Sequence, residues 1–236
     1  YGPAMNTHRS AFAGRNFEYY SEDPVVGGYI AANQMNGASE HGVYAYIKHF
    51  ALNDQEINRI SMLLTFASEQ AIREIYLKPF EIATKNFTGT SRAVMSSFNW
   101  IGTEPSCANS HLLKNVLRGE WGFIGMVESD YDGSYGYMIT DHCIRSGNDL
   151  MLGFAGAESN VLSDKSATAI NAMRQACKNI LYTIGNSGYY EGNSDPAGAM
   201  TNMTKIFLTV DIIIGLLIAA IEAILIIRYL KKKKNA

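Results

Sequence analysis

Hydrophobic and polar residues follow two rhythms along the first part of this chain. Short apolar runs of strand length occur at Ala45–Phe50 (AYIKHF), Arg92–Phe98 (RAVMSSF), Gly125–Ser129 (GMVES) and Asn148–Leu152 (NDLML). Longer amphipathic stretches fill the intervals, at Val25–Ser39, Ser68–Asn86, Ser110–Glu120, Tyr137–Ser146 and Ser163–Ile184. Pro79 falls inside the second of these and is expected to restart the helix, because proline suits a first turn and breaks an interior one. Strands alternating with helices predict parallel βα units, hence an α/β fold. Polar residues gather just past the strands, at Lys48, His49, Asn99, Asp130, Asn148 and Asp149. In a (β/α)8 barrel that position is the catalytic face. A full barrel takes about 250 residues and roughly 185 are available before the pattern changes. The expected architecture is therefore an incomplete (β/α)8 TIM-type barrel built from its later βα units. Tyr1-Gly2-Pro3 reads as loop with no strand before it, so two or three units are expected upstream.

The pattern changes near the C-terminus. Ile206–Leu230 reads IFLTVDIIIGLLIAAIEAILIIRYL, a helix of roughly 37 Å at 1.5 Å per residue, enough to cross a hydrocarbon core of about 30 Å with some tilt. Lys231–Lys234 follow at once, and such basic flanks stay cytoplasmic. The expected division is a partial barrel domain over 1–185, a flexible linker over 186–204, a single transmembrane helix over 205–230 and a basic cytoplasmic tail over 231–236. The barrel domain would then lie outside the cell. Asp211 and Glu222 interrupt the apolar helix. Charge there is costly, and both are read as carboxyls near opposite interfaces.

Composition changes this picture little. Of 236 residues 47% are hydrophobic and the formal charge is −2, so no clustered basic face for nucleic acid is expected. Cys107, Cys143 and Cys177 are widely spaced and odd in number, with no CxxC pair and no metal-ligand spacing to the five histidines; they are read as thiols rather than as a disulfide framework. No metal, nucleotide or flavin site and no Gly-rich phosphate loop is visible, and no cofactor is expected.

The stretches GRNFEYYSEDP (14–24), KHFALNDQEINR (48–59), AVMSSFNWIG (93–102) and LLKNVLRGEWGFIGMVESD (112–130), in this order and spacing, resemble the barrel domain of glycoside hydrolase family 3. GNDLMLG (147–153) and RQACKNILYTIGNSG (174–188), followed by the apolar helix, resemble a membrane-anchored bacterial subgroup in which an α/β sandwich precedes the barrel. The resemblance implies a retaining, exo-acting β-glycosidase, β-glucosidase-like, acting on terminal sugars of β-linked oligosaccharides or glycosides. It implies that Asp130 is the nucleophile, which attacks the anomeric carbon to form a covalent glycosyl-enzyme. Such a group must ionise, so cationic and hydrogen-bonding neighbours are expected to hold its pKa low. Arg15, Lys48 and His49 match family residues that bind the hydroxyls of the first sugar. Met95 is expected beside the nucleophile strand, and Tyr131 as an aromatic wall for an apolar sugar face.

Other charged residues read as support. Glu18 and the Glu22–Asp23 pair suit Arg15 and a helix N-terminus, Glu56 and Arg59 an ion pair bracing the Lys48–His49 loop, and Asn148 and Asp149 structural hydrogen bonds. Two departures from the family's commoner pattern are Phe98, where many members carry tyrosine, and Tyr131, where many carry tryptophan. Retention also needs a second carboxyl about 5 Å from the first, and no glutamate here is assigned that role. Glu128 shares Asp130's strand and side but lies at the wrong depth. The acid/base is therefore expected outside this chain, on the missing upstream half of the same protein or a complementing chain, and the isolated chain should hydrolyse poorly. The competing reading is a catalytically incompetent, membrane-anchored carbohydrate-binding or structural remnant.

Overall fold

The computed structural model describes residues 1–131, 136–153, 161–190 and 202–234. The chain divides into two units, Tyr1–Asn193 and Ser194–Ala236. The first is built on a parallel sheet in the order β1 (Ala45–Phe50), β3 (Arg92–Ser96), β6 (Met126–Glu128). The predicted strands at 45–50, 92–98 and 125–129 match these closely.

The sheet is wider than its named strands. Tyr46 N donates to Gly2 O (2.8 Å), Lys48 N to Pro3 O (3.0 Å) and Met5 N to Lys48 O (2.8 Å), and Ala4 bridges Lys48 in parallel. Residues 2–5 thus flank β1 as a strand would, which corrects the expectation of loop at Tyr1-Gly2-Pro3. At the other margin the expected strand Asn148–Leu152 contracts to one parallel bridge, Glu128 to Leu150, because the side chains of Asn148 and Asp149 turn to hydrogen bonding. Five parallel passages therefore form an arc of a barrel in chain order.

The pleat sorts side chains onto two faces. Ile47, Val94 and Val127 stand in register on the outer face, where Met35, Phe80, Leu113, Leu117 and Phe123 from the helical layer bury them. Each large side chain so buried contributes roughly 1.5–3 kcal/mol. Tyr46, Ala93 and Met126, then Met95 and Glu128, share the inner face. Gly125 starts β6 at φ +146°, and a Cβ there would lie 2.3 Å from Arg92 O; only glycine lets β6 begin so close to β3.

Of the helices, α1 (Pro24–Glu40) is capped by Asp23, whose side chain accepts from Val25 N and Val26 N at 2.8 and 3.2 Å. The predicted helix 68–86 is split into α2 (Glu69–Ala71), a π-helical stretch Ile72–Tyr76, and α3 (Lys78–Lys85), with Pro79 in the first turn of α3. Proline has no amide to offer the preceding turn, which is why the break falls there. His111–Glu120 is also π-helical. α4 (Thr140–Ser146) ends at Gly147 in the left-handed region, and α5 (Ala167–Gly185) is capped by Ser166. A second small sheet, β2 (Leu64–Thr65), β4 (Trp100–Ile101) and β5 (Glu104–Pro105), lies in the loops beyond β1 and β3.

Of the stretch read as a tether, residues 186–190 are held on the first unit: Gly188 N donates to Gly42 O at 2.8 Å and Ser187 is buried. Residues 191–201 lie outside the described residues. The second unit contains α6 (Asn202–Lys234). Its segment Ile206–Arg228, 23 residues with an 18-residue stretch of mean hydropathy 2.8, is long and apolar enough to cross a membrane.

Asp149 fastens the lower margin of the arc. Its Oδ2 accepts from Arg118 Nη2 at 2.7 Å and Val127 N at 2.8 Å, and its Oδ1 from Asn179 Nδ2 at 2.8 Å, so α5, β6 and the π-helical segment meet on one carboxylate, which confirms the structural role expected of it. Replacing Asp149 with Ala strands a guanidinium and two buried amide donors and should lower stability by about 3–5 kcal/mol. Urea unfolding should show a fall in midpoint with an unchanged slope.

Candidate active site

Asp130 lies immediately beyond β6, at the C-terminal end of the parallel strands and on the face that carries Tyr46, Met95 and Glu128. It is 6% exposed. Its Oδ1 accepts from Tyr131 N at 2.8 Å, which fixes the rotation of the carboxylate. Its Oδ2 is buried with no hydrogen-bond partner among the described residues.

His49 faces that second oxygen, with Nε2 3.8 Å from Asp130 Oδ2. A regular pleat would send Lys48 and His49 to opposite faces, but the β1–β3 register slips between Ile47 and Phe50, and an irregularity of this kind re-aims a side chain. Asn6 grips His49's backbone on both sides: His49 N donates to Asn6 Oδ1 at 2.8 Å, and Asn6 Nδ2 donates to His49 O at 3.0 Å. Burial lowers the imidazole pKa well below its usual value, and the charges of Arg15, Lys48 and Arg59 lower it further, so His49 is neutral. Tyr19 Oη lies 3.4 Å from its Nδ1 and 3.2 Å from Asn53 O, and takes a bond from Asn53 Nδ2 at 3.1 Å. Burial raises the Tyr19 pKa strongly, so the hydroxyl keeps its proton. With Asp130 ionised, the tautomer with its proton on Nε2 turns N–H rather than a lone pair toward the carboxylate, while the single Tyr19 proton goes to Asn53 O.

Three cations surround the carboxylate, and two glutamates string them together. Glu18 pairs closely with Arg15 Nε and lies 3.6 Å from Lys48 Nζ; Glu56 lies 3.7 Å from Arg15 Nη1 and 2.6 Å from Arg59 Nη1. The expected partners Glu18 for Arg15 and Glu56 for Arg59 are therefore present, and Glu56 bridges two arginines. Arg59 also stacks over the Phe98 ring at 4.2 Å, the position where tyrosine is commoner in the family. Gly14, at φ +89°, brings the Arg15 loop against Glu56; a Cβ there would meet Glu56 Cγ at 3.0 Å.

These charges do not hold the Asp130 pKa low, contrary to expectation. Burial raises it to about 6, while the Tyr131 N–H bond and the charges of Arg15, Arg59 and Lys48 pull the other way. Desolvation outweighs the cations because the carboxylate is almost wholly buried. Glu128 is fully buried, with the Tyr46 hydroxyl as its polar neighbour. Burial pushes its pKa to about 8, and the charge of Asp130 adds to the shift, so it is protonated at neutral pH.

The structure thus brings Arg15, Lys48, His49 and Asp130 together. Met95, 3% exposed, packs with Tyr46, Ala93 and Met126 on the inner face, while Tyr131 packs at the edge of a cluster of Phe98, Cys107, Met138 and Cys143. Sequence reasoning missed Tyr19, Asn53 and Asn6. The first two lie inside the family-like stretches but carry no charge to mark them, and the Asn6 side chain acts on the backbone of His49 alone. No group of three or more His, Cys, Asp or Glu side chains able to hold a metal occurs among the described residues.

Comparison with known proteins bears on this geometry. Residues 1–180 match the model of the glycosyl hydrolase family 3 N terminal domain. The chain is 46% identical over 132 residues to Beta-glucosidase B of Emericella nidulans, covering 56% of this chain and 15% of that protein. It is also 46% identical over 148 residues to a Beta-glucosidase of Rhizobium radiobacter, covering 63% and 17%. Among solved structures, beta-glucosidase 3B from Thermotoga neapolitana in complex with alpha-D-glucose superposes with a TM-score of 0.68 at 37% identity, covering 80% of this chain and 27% of that one. The chain thus spans about a sixth of the length of these curated relatives.

The raised pKa of Asp130 makes a stability prediction. A carboxyl titrating near 6 when folded and near 3.9 when unfolded makes folding take up a proton between those values, so stability falls as pH rises across that window. Asp130→Asn should remove this dependence and raise stability at pH 7 by up to about 3 kcal/mol. Denaturant titrations of both proteins at pH 4, 5, 6 and 7 would check it, the two curves converging at the acid end.

Proposed function

Because the chain belongs to glycosyl hydrolase family 3, we propose that it carries the nucleophile, Asp130, of a retaining, exo-acting β-glucosidase-like hydrolase. One observation supports this above the rest: a buried carboxylate at the C-terminal rim of a parallel sheet, with one oxygen fixed and the other without a hydrogen-bond partner among the described residues, faces a neutral histidine near three cations. The names of the similar proteins, all β-glucosidases, support the substrate class, a terminal β-linked sugar.

In this reading Asp130 Oδ2 attacks the anomeric carbon as the glycosidic bond breaks, through an oxocarbenium-like transition state. The Tyr131 N–H bond to Oδ1 holds the other oxygen aside. Arg15, Lys48 and His49 donate hydrogen bonds to the sugar hydroxyls, and Tyr131 offers an aromatic wall to the ring's apolar face. Met95 supports the pocket from the inner face of β3. The leaving-group oxygen is protonated by a general acid that belongs to another part of the whole protein, and the same group then activates the water that hydrolyses the glycosyl-Asp130 ester. Glu128 does not fill this role in our reading, since it is buried below the rim.

The cations have a second effect beyond binding, in opposing the burial that raises the Asp130 pKa. A pKa near 6 leaves the carboxylate mostly ionised at pH 7, yet poorly solvated and hence a stronger nucleophile than a carboxylate in water.

We further read α6 as a single membrane span, with the lysine-rich end cytoplasmic and the barrel unit outside. Only a short stretch separates α5 from α6, so no second domain follows the barrel before the apolar helix. This agrees with a bacterial arrangement in which the α/β sandwich precedes the barrel.

Two experiments test these readings. An activated 2-deoxy-2-fluoro-β-glucoside should label the peptide containing Asp130 in the whole protein, and Asp130→Asn should reduce kcat by roughly four to six orders of magnitude while leaving the fold intact. Label on another carboxylate, or an undiminished rate, overturns the assignment; failure to label at all favours a binding remnant. Separately, the protein should stay with membranes through alkaline carbonate extraction, and external protease should digest the barrel unit in intact cells. Release into the soluble fraction would remove the anchor from the proposal.

A further inference from the structure

Two of the three cysteines meet inside the first unit. Cys107 lies in the one-turn segment Ser106–Ala108 after β5, Cys143 lies in α4, and both are fully buried. Their sulfur atoms are 3.4 Å apart, in van der Waals contact. Phe98 and Met138 pack against them, so their surroundings are apolar. Cys177, on α5, is exposed. The pair is not part of a visible metal site, since no cluster of three or more ligating side chains occurs among the described residues.

We propose that Cys107 and Cys143 are a cross-link site, forming a disulfide when the chain folds in contact with a disulfide oxidant. The chemistry balances with an oxidant such as oxidised glutathione. One cysteine thiolate attacks its S–S bond, giving a mixed disulfide and one released thiol. The second cysteine thiolate then displaces the other half. Two protein thiols lose two protons and two electrons, and the oxidant's disulfide becomes two thiols. The sulfurs need approach by only roughly 1.4 Å to reach a bonded separation near 2.05 Å.

Burial sets the timing and the selectivity. No oxidant reaches either sulfur in the folded unit, so the bond forms while the chain folds and afterwards is shielded from reductants. Cys177 stays outside the reaction because it lies on the surface of a different helix. The closed loop runs from β5 to α4 and contains the π-helical segment 111–120, β6 and Asp130. The cross-link therefore tethers the chain on both sides of the proposed nucleophile and chiefly restricts the unfolded ensemble. It is independent of the proposed hydrolysis.

The test uses the full-length protein in detergent, refolded from denaturant either in a glutathione redox pair or in excess dithiothreitol, then denatured and alkylated. After oxidative refolding, one thiol should react, that of Cys177. Non-reducing proteolysis should yield a peptide joining Cys107 to Cys143, lighter by two hydrogen atoms than its parts. The oxidised protein should melt roughly 10 °C above the reduced one. Cys143→Ala should abolish that difference and Cys177→Ala should preserve it; the wild-type comparison decides the matter alone if Cys143→Ala fails to fold. Three alkylated thiols after oxidative refolding, or a cross-link that includes Cys177, would overturn the proposal.

Discussion

A carboxylate that must be both buried and ionisable is the constraint around which this unit is arranged. Asp130 loses water on entering the barrel rim, and that loss alone would neutralise it. Arg15, Lys48 and Arg59 lean against the loss without cancelling it, which leaves the group titrating near 6. Glu18 and Glu56 hold the three cations in place. A stronger cationic field would relax the carboxylate into an ordinary ion pair. A weaker one would leave it protonated at neutral pH.

The fold serves that balance by delivering residues from separate segments to one rim. Arg15 and Glu18 come from the loop ahead of α1, Lys48 and His49 from a slipped stretch of β1, and Glu56 and Arg59 from the loop after it. The slip is what lets consecutive residues face the same way, and Asn6 holds it by pairing with both backbone groups of His49. Below the rim, Glu128 completes an inner face that is neutral at pH 7 in spite of its composition. The helical layer outside, packed on Ile47, Val94 and Val127, provides the stability against which a desolvated carboxylate can be maintained.

Much of this was legible in the residues. The runs AYIKHF, RAVMSSF and GMVES have a strand's length and its buried composition, and they became β1, β3 and β6. What was not legible has local physical causes. Gly2-Pro3 reads as loop because neither residue favours a strand, yet their carbonyls still accept the ladder bonds from β1. NDLML reads as a strand, but Asp149 is drawn away by Arg118, Val127 N and Asn179. The two-residue strands β2, β4 and β5 are too short to leave a periodic signal. At the site, charge and family likeness pointed to Asp130, Arg15, Lys48 and His49, whereas Tyr19, Asn53 and Asn6 work by neutral hydrogen bonds that no spacing advertises. The direction of the Asp130 shift was the opposite of that expected, because burial cannot be read from the neighbours' charges.

Gly14 carries a consequence for variation in this protein. Its backbone sits where any side chain would press on Glu56, and Glu56 is the link between Arg15 and Arg59. A bulkier residue there would act at a distance, loosening two guanidinium groups at once through their common counterion. Sequence drift at position 14 would thus alter the charges facing Asp130, making it a lever on that group's acidity rather than a mere hinge.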